Sequence, residues 1–91
     1  MSYKIITTDK FMKKLAKLIK KNPELKPKIA KTFKLIENDI NHPSLRLHKL
    51  KGELNDKYSV SVDMNYRIIL EFIVTEKGVI LLDIGSHDEV Y

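Results

Sequence analysis

Tyr66-Arg67-Ile68-Ile69-Leu70-Glu71-Phe72-Ile73-Val74 is the stretch on which the fold turns. It is a nearly continuous apolar run, the composition of a strand at the centre of a sheet. One cation, Arg67, interrupts it. An unpaired charge inside a sheet is costly, so Arg67 must emerge on an open face or meet a partner. Downstream, Glu76-Lys77-Gly78 reads as a hairpin turn and Val79-Ile80-Leu81-Leu82-Asp83-Ile84-Gly85 as the last strand. Upstream lies a turn, Asp63-Met64-Asn65. Before it, Tyr58, Val60 and Val62 alternate with Ser59, Ser61 and Asp63, the period of a half-buried strand. Leu45, Leu47 and Leu50 mark a further short extended segment.

The N-terminal half has a different period. Tyr3-Lys4-Ile5-Ile6-Thr7 is short and β-prone, and Thr7, Thr8 and Asp9 offer helix N-caps. Between Lys10 and Lys21, Phe11, Leu15, Leu18 and Ile19 share one helical face, and lysines cover the rest. Asn22-Pro23 breaks this helix. Leu25, Ile29, Phe33, Ile36 and Ile40 define a second, ended by Asn41-His42-Pro43. The short connection predicts an antiparallel helix hairpin whose apolar stripes need a sheet to cover. The expected architecture is α+β. It consists of an N-terminal strand, a helix hairpin, and antiparallel strands forming a twisted sheet covered on one face by the helices.

A chain of 91 residues makes one domain, spanning residues 1–91. It has no cysteine, which removes disulfides, thiolate metal sites and a cysteine nucleophile. No stretch approaches the roughly 18 apolar residues of a membrane span, and the N-terminus lacks the apolar run of a signal peptide. The chain reads as cytoplasmic, with no membrane partner. Its charge is divided unevenly. Residues 1–52 carry 14 Lys/Arg against 4 Asp/Glu, and residues 53–91 carry 3 against 8. The basic half suggests a polyanionic partner; the competing reading is a lysine-rich solvated helix surface.

The histidines show no metal-ligand spacing and no Gly-rich phosphate loop or nucleophile elbow is visible, so no metal and no cofactor is expected. His42, before a proline at a helix end, reads as structural or idle. What stands out is a set of groups suited to metal-free RNA cleavage, in which the substrate's own 2′-OH attacks phosphorus. Histidine can move the protons, arginine fits phosphate through paired donors, and tyrosine can stack on a base. His48, Lys51, Arg67, His87 and Tyr91 contain these parts. The alternative on the same residues is a basic interaction module without catalysis.

Several segments together resemble the RelE/ParE superfamily of toxins. They are His48-Lys49-Leu50-Lys51-Gly52, Leu54, Tyr58-Ser59-Val60-Ser61-Val62, Tyr66-Arg67-Ile68-Ile69 and Ile84-Gly85-Ser86-His87-Asp88-Glu89-Val90-Tyr91. The most specific pieces are the Leu-Lys-Gly turn, the Tyr-Arg-Ile strand and the terminal Gly-x-His-x-x-x-Tyr. The resemblance implies a toxin of a type II toxin–antitoxin system, held inactive by a cognate antitoxin. In the RelE, YoeB and YafQ-like branches the toxin cleaves mRNA, usually in the ribosomal A site; in the ParE branch it poisons DNA gyrase. The His-x-x-x-Tyr ending looks like the RNase branches. On this resemblance Arg67 binds phosphate and stabilises the transition state. His87 is general acid or base, Tyr91 stacks on a base or orients the phosphate, and His48 partners His87. Arg46, Lys49, Lys51, Ser59 and Ser61 are the implied RNA contacts. The chain departs from RelE in having Ser59 and Ser61 where RelE carries lysines. It departs from YafQ-like toxins in having Ser61 and Asn65 where they carry a histidine and an aspartate. Ser44 stands nearest the position of the YoeB glutamate base. A gyrase-inhibiting toxin and a non-catalytic RNA-binding module remain the alternatives.

Overall fold

Thr8 starts the first helix by accepting the N–H of Phe11 on its hydroxyl at 3.0 Å. That bond satisfies one of the N–H groups that every helix leaves open at its start. The computed structural model describes residues 3–54, 56–86 and 90. Strand β1 (Lys4–Thr7) leads into α1 (Asp9–Lys21), and α2 (Leu25–Asn38) follows after Asn22-Pro23. A 3-10 turn at Pro43–Leu45 precedes β2 (His48–Lys49), the short strand expected near residues 45–50. Then come β3 (Tyr58–Ser61), β4 (Tyr66–Ile73) and β5 (Gly78–Ser86). Helix α2 ends two residues before Ile40, which is buried from the loop beyond it. No helix among the described residues is long and apolar enough to cross a membrane.

The sheet order is β1-β5-β4-β3-β2. Strands β2 to β5 pair antiparallel, as expected, and β4 is central. The N-terminal strand joins the far edge parallel to β5, which makes the sheet mixed. Gly78 belongs to this junction rather than to the turn. It pairs with Lys4, and a Cβ on it would meet Ile6 Cδ1 at 3.1 Å and the Lys4 carbonyl at 3.3 Å. The turn's positive φ falls on Lys77 instead, at 47°.

One face of the sheet carries the main core. Phe11 and Leu15 of α1 and Leu25, Ile29 and Ile36 of α2 pack on Val60, Ile68, Leu70, Val79, Leu81 and Ile84. Burying each such side chain contributes about 1.5–3 kcal/mol. Among the described residues, the other face carries a small cluster of Leu50, Ile69 and Val90, with Leu54 against it. The register slips between Ile69 and Leu70, which oppose Asp83 and Leu81. At this irregularity Asp83 pairs with Lys14 of α1 at 2.7 Å.

Candidate active site

Strand alternation delivers Arg67 to the open face. Ile68 enters the main core and Ile69 the small cluster, so Arg67 leaves the sheet on the side away from the helices. It stands opposite Ser61 on β3 and Gly85 on β5, and Gly85 has no side chain to crowd it. Arg67 Nη1 is buried and has no hydrogen-bond partner among the described residues. A buried charged donor without an acceptor costs more than the roughly 1–3 kcal/mol of a neutral group. Folded proteins tolerate few of these, and a ligand that supplies the acceptor is one reason they persist.

The cavity against Arg67 holds about 300 Å³ and is lined also by Ser44, Arg46, Ser61, Asp63 and Met64. Arg46 ends the turn Pro43–Leu45 in the left-handed conformation, φ 48° and ψ 44°. That conformation costs a residue with a side chain about 1–2 kcal/mol. The turn is held by His42, whose Nδ1 accepts the N–H of Ser44 at 3.1 Å. His42 therefore has the structural role its position suggested. Two arginines thus meet one small cavity, a pairing suited to a phosphate or another oxyanion.

Asp63 is the one carboxylate on the cavity wall among the described residues. Its Oδ1 accepts the N–H groups of Asn65 and Tyr66 at 2.8 Å each, and its Oδ2 meets Lys28 Nζ at 3.2 Å. Burial pushes its pKa up, but the two backbone N–H groups and the Lys28 ammonium outweigh this and hold it below its ordinary 3.8. A carboxylate so engaged is a poor proton acceptor at neutral pH, so Asp63 shapes the wall rather than serving as a base. Ser61 Oγ donates its proton to the Asp63 carbonyl at 2.7 Å, which leaves it an acceptor and not a donor toward an anion.

The other expected residues distribute themselves as follows. His48 pairs in register with Ser59, two residues along β3 from the partner of Arg67. It therefore shares the face of Arg67 but does not line its cavity. Its Nδ1 lies 3.2 Å from the Arg46 carbonyl, an acceptor. Lys49 is opposite Tyr58, whose ring packs on the helix-covered side, so Lys49 sits on the opposite pleat from His48. Ser59 is fully buried, which removes it from any direct contact with RNA. Lys51 is exposed beside Gly52 and does not line the cavity. His87 and Tyr91 lie outside the described residues. Sequence reasoning passed over Asp63 and Met64 as cavity residues; the sole signal was their place in the turn just before Arg67. Among the described residues no cluster of three His, Asp or Glu side chains is arranged to hold a metal ion.

The model of one protein family, the RelE-like toxins of the type II toxin–antitoxin system HigB, matches residues 7–87. No curated protein is significantly similar in sequence. Among solved structures, YafQ from Escherichia coli strain BL21(DE3) superposes with a TM-score of 0.79 at 16% identity, covering 98% of each chain. HP0894 from Helicobacter pylori gives 0.72 at 23% identity over 100% of each chain. A chain of the Staphylococcus aureus YoeB–YefM complex gives 0.72 at 17% identity, covering 96% of this chain and 99% of that one. At these identities the likeness to the solved structures is one of fold.

Proposed function

This chain belongs to the RelE-like toxins of type II toxin–antitoxin systems, and from that membership we propose that it is a ribosome-dependent endoribonuclease that cleaves mRNA in the A site without a metal ion. The observation that carries the reading is the meeting of Arg46 and Arg67 at one cavity, with Arg67 Nη1 buried and without a hydrogen-bond partner among the described residues. A scissile phosphodiester in that cavity would pair with the guanidinium groups, and its charge grows toward the transition state. Fixed donors aimed at such charge stabilise the transition state, and removing one typically costs about 10²–10³ in rate.

The proton transfers fall to histidine. The substrate 2′-O–H loses its proton to a base as the O2′–P bond forms. The P–O5′ bond breaks and O5′ takes a proton from an acid. The products are a 2′,3′-cyclic phosphate and a 5′-OH. His87 is the proposed acid or base, with His48 as its partner and Tyr91 stacking on a base. Two described residues bracket the C-terminal segment. Ser86 pairs with Tyr66 beside Arg67, and Val90 packs on Leu50 and Ile69 on the open face. Arg46 and Lys51 are the proposed further RNA contacts. The protein is proposed to act in the cytoplasm and to be silenced by a cognate antitoxin covering this face. YafQ of E. coli and YoeB of S. aureus have been solved in complexes with DinJ and YefM.

Induced expression followed by primer extension on a translated mRNA tests the reading. New 5′ ends within codons are expected for the wild type and absent for Arg67→Ala and His87→Ala. Growth arrest that survives both substitutions, or cleaved DNA accumulating while mRNA stays intact, would overturn it; the latter points to gyrase.

A further inference from the structure

The Arg67 cavity does not end at Asp63. A second cavity, of about 200 Å³, shares Ser44, Ser61, Val62 and Asp63 with it and is bounded on the far side by Lys28, Lys31, Thr32 and Leu35 of α2. The two cavities adjoin at the four shared residues. We infer that they form one trough, from the open face to the flank of α2, that carries the RNA backbone past the scissile phosphate, and that Lys28 and Lys31 form a subsite for a neighbouring phosphate. The inference rests on the reading of the Arg67 cavity as the site of the scissile phosphodiester.

Charge and anchoring both favour a polyanion there. Among the described residues four cations, Lys28, Lys31, Arg46 and Arg67, line the trough against the single carboxylate of Asp63. Two backbone N–H groups hold its Oδ1, so the carboxylate stays anchored when Lys28 turns from its Oδ2 to a phosphate. The Lys28–Asp63 pair is itself half exposed on the lysine side, and such pairs are weak. Lys31 takes part in no ion pair among the described residues. The helix turn that bears both lysines is fixed from below. Ile29 and Thr32 are buried, and Thr32 Oγ1 donates to the Lys28 carbonyl at 2.8 Å. The cations are thus presented by a rigid element and not by a mobile loop.

Binding of 2′-fluoro RNAs, which lack the nucleophile and stay uncleaved, tests the subsite on the full chain. A dinucleotide carries a single phosphodiester and a trinucleotide carries a pair. The wild type is expected to bind the trinucleotide about tenfold more tightly than the dinucleotide, the worth of one charge-assisted contact. Lys28→Gln/Lys31→Gln should abolish that gain, keep the dinucleotide affinity, and lower the salt slope for the trinucleotide by about 0.7. Both lysines are exposed, so an unchanged melting temperature will confirm that the double variant is folded. A trinucleotide gain that persists in the double variant overturns the inference while leaving the Arg67 reading intact. Dinucleotide affinity that is unaltered by Arg67→Ala overturns that reading, and the subsite with it.

Discussion

Arg46 and Arg67 line one cavity, the first held there by a left-handed turn and the second by its register opposite Ser61 and Gly85. Each carries a cost to the fold. Arg46 bears backbone strain and Arg67 a buried donor with no acceptor among the described residues. Strain and desolvation gathered on a pair of like charges mark a place where stability has been given up for binding.

Arg67→Met separates the two roles of this residue. The methionine fills similar space without a charge to desolvate. Its melting temperature should equal or exceed that of the wild type, by up to about 4–8 °C for each kcal/mol recovered. Cleavage should fall by about 10²–10³. Calorimetry and a cleavage assay on the same preparation check both halves.

Glycine at the left-handed positions gives a second contrast. Relief of about 1–2 kcal/mol is partly offset by the greater freedom of glycine in the unfolded chain, about 0.4–1 kcal/mol. Arg46→Gly and Lys77→Gly should therefore each stabilise the protein by about 0.5–1 kcal/mol in denaturant unfolding. Only Arg46→Gly should weaken RNA binding, since Lys77 sits at the β4–β5 turn, away from the cavity.

Asp63 sets an acid limit on stability. Its carboxyl is held below 3.8, so the ionised form is favoured by folding. That contribution is complete above about pH 5 and is lost as pH falls through 3.8 toward the folded value. Asp63→Asn keeps an acceptor for the turn but removes the titration, so unfolding free energy measured between pH 6 and pH 3 should fall less steeply than in the wild type. Asp63→Ala strands two N–H groups and should cost about 1–3 kcal/mol at neutral pH.

Val90 is the described anchor of the C-terminal segment, buried against Leu50 and Ile69. Val90→Ala removes two methyl-sized groups and should cost about 1–2 kcal/mol by denaturant unfolding. Because it lies between His87 and Tyr91 in sequence, loss of its anchorage should lower cleavage more than tenfold. Val79→Ala, in the main core, should destabilise at least as much with a smaller effect on cleavage per folded molecule.

The strands and helices were legible because their periods differ. Tyr58, Val60 and Val62 alternate, whereas Phe11, Leu15 and Leu18 recur at helical spacing, and the structure places both sets in one core. The exit of Arg67 to the open face was legible because a lone charge in an apolar strand demands one. Less was visible where pairing is non-local. Nothing in Lys4–Thr7 specifies a parallel partner, and that partner is what makes Gly78 a strand residue. Ser59 looked like part of a polar, accessible set, but cover over that face buries it while Ser61 stays partly open. The trough escaped notice because its walls come from α2, the Pro43–Leu45 turn and the β3–β4 turn, which are distant in sequence.

The most direct test is the chemistry of the ends left on mRNA in a purified translation reaction. The proposed mechanism predicts a 2′,3′-cyclic phosphate on the upstream fragment and a 5′-OH on the downstream one, with neither formed by Arg67→Ala. A 5′-phosphate beside a 3′-OH, or cleavage undiminished in Arg67→Ala, would contradict it.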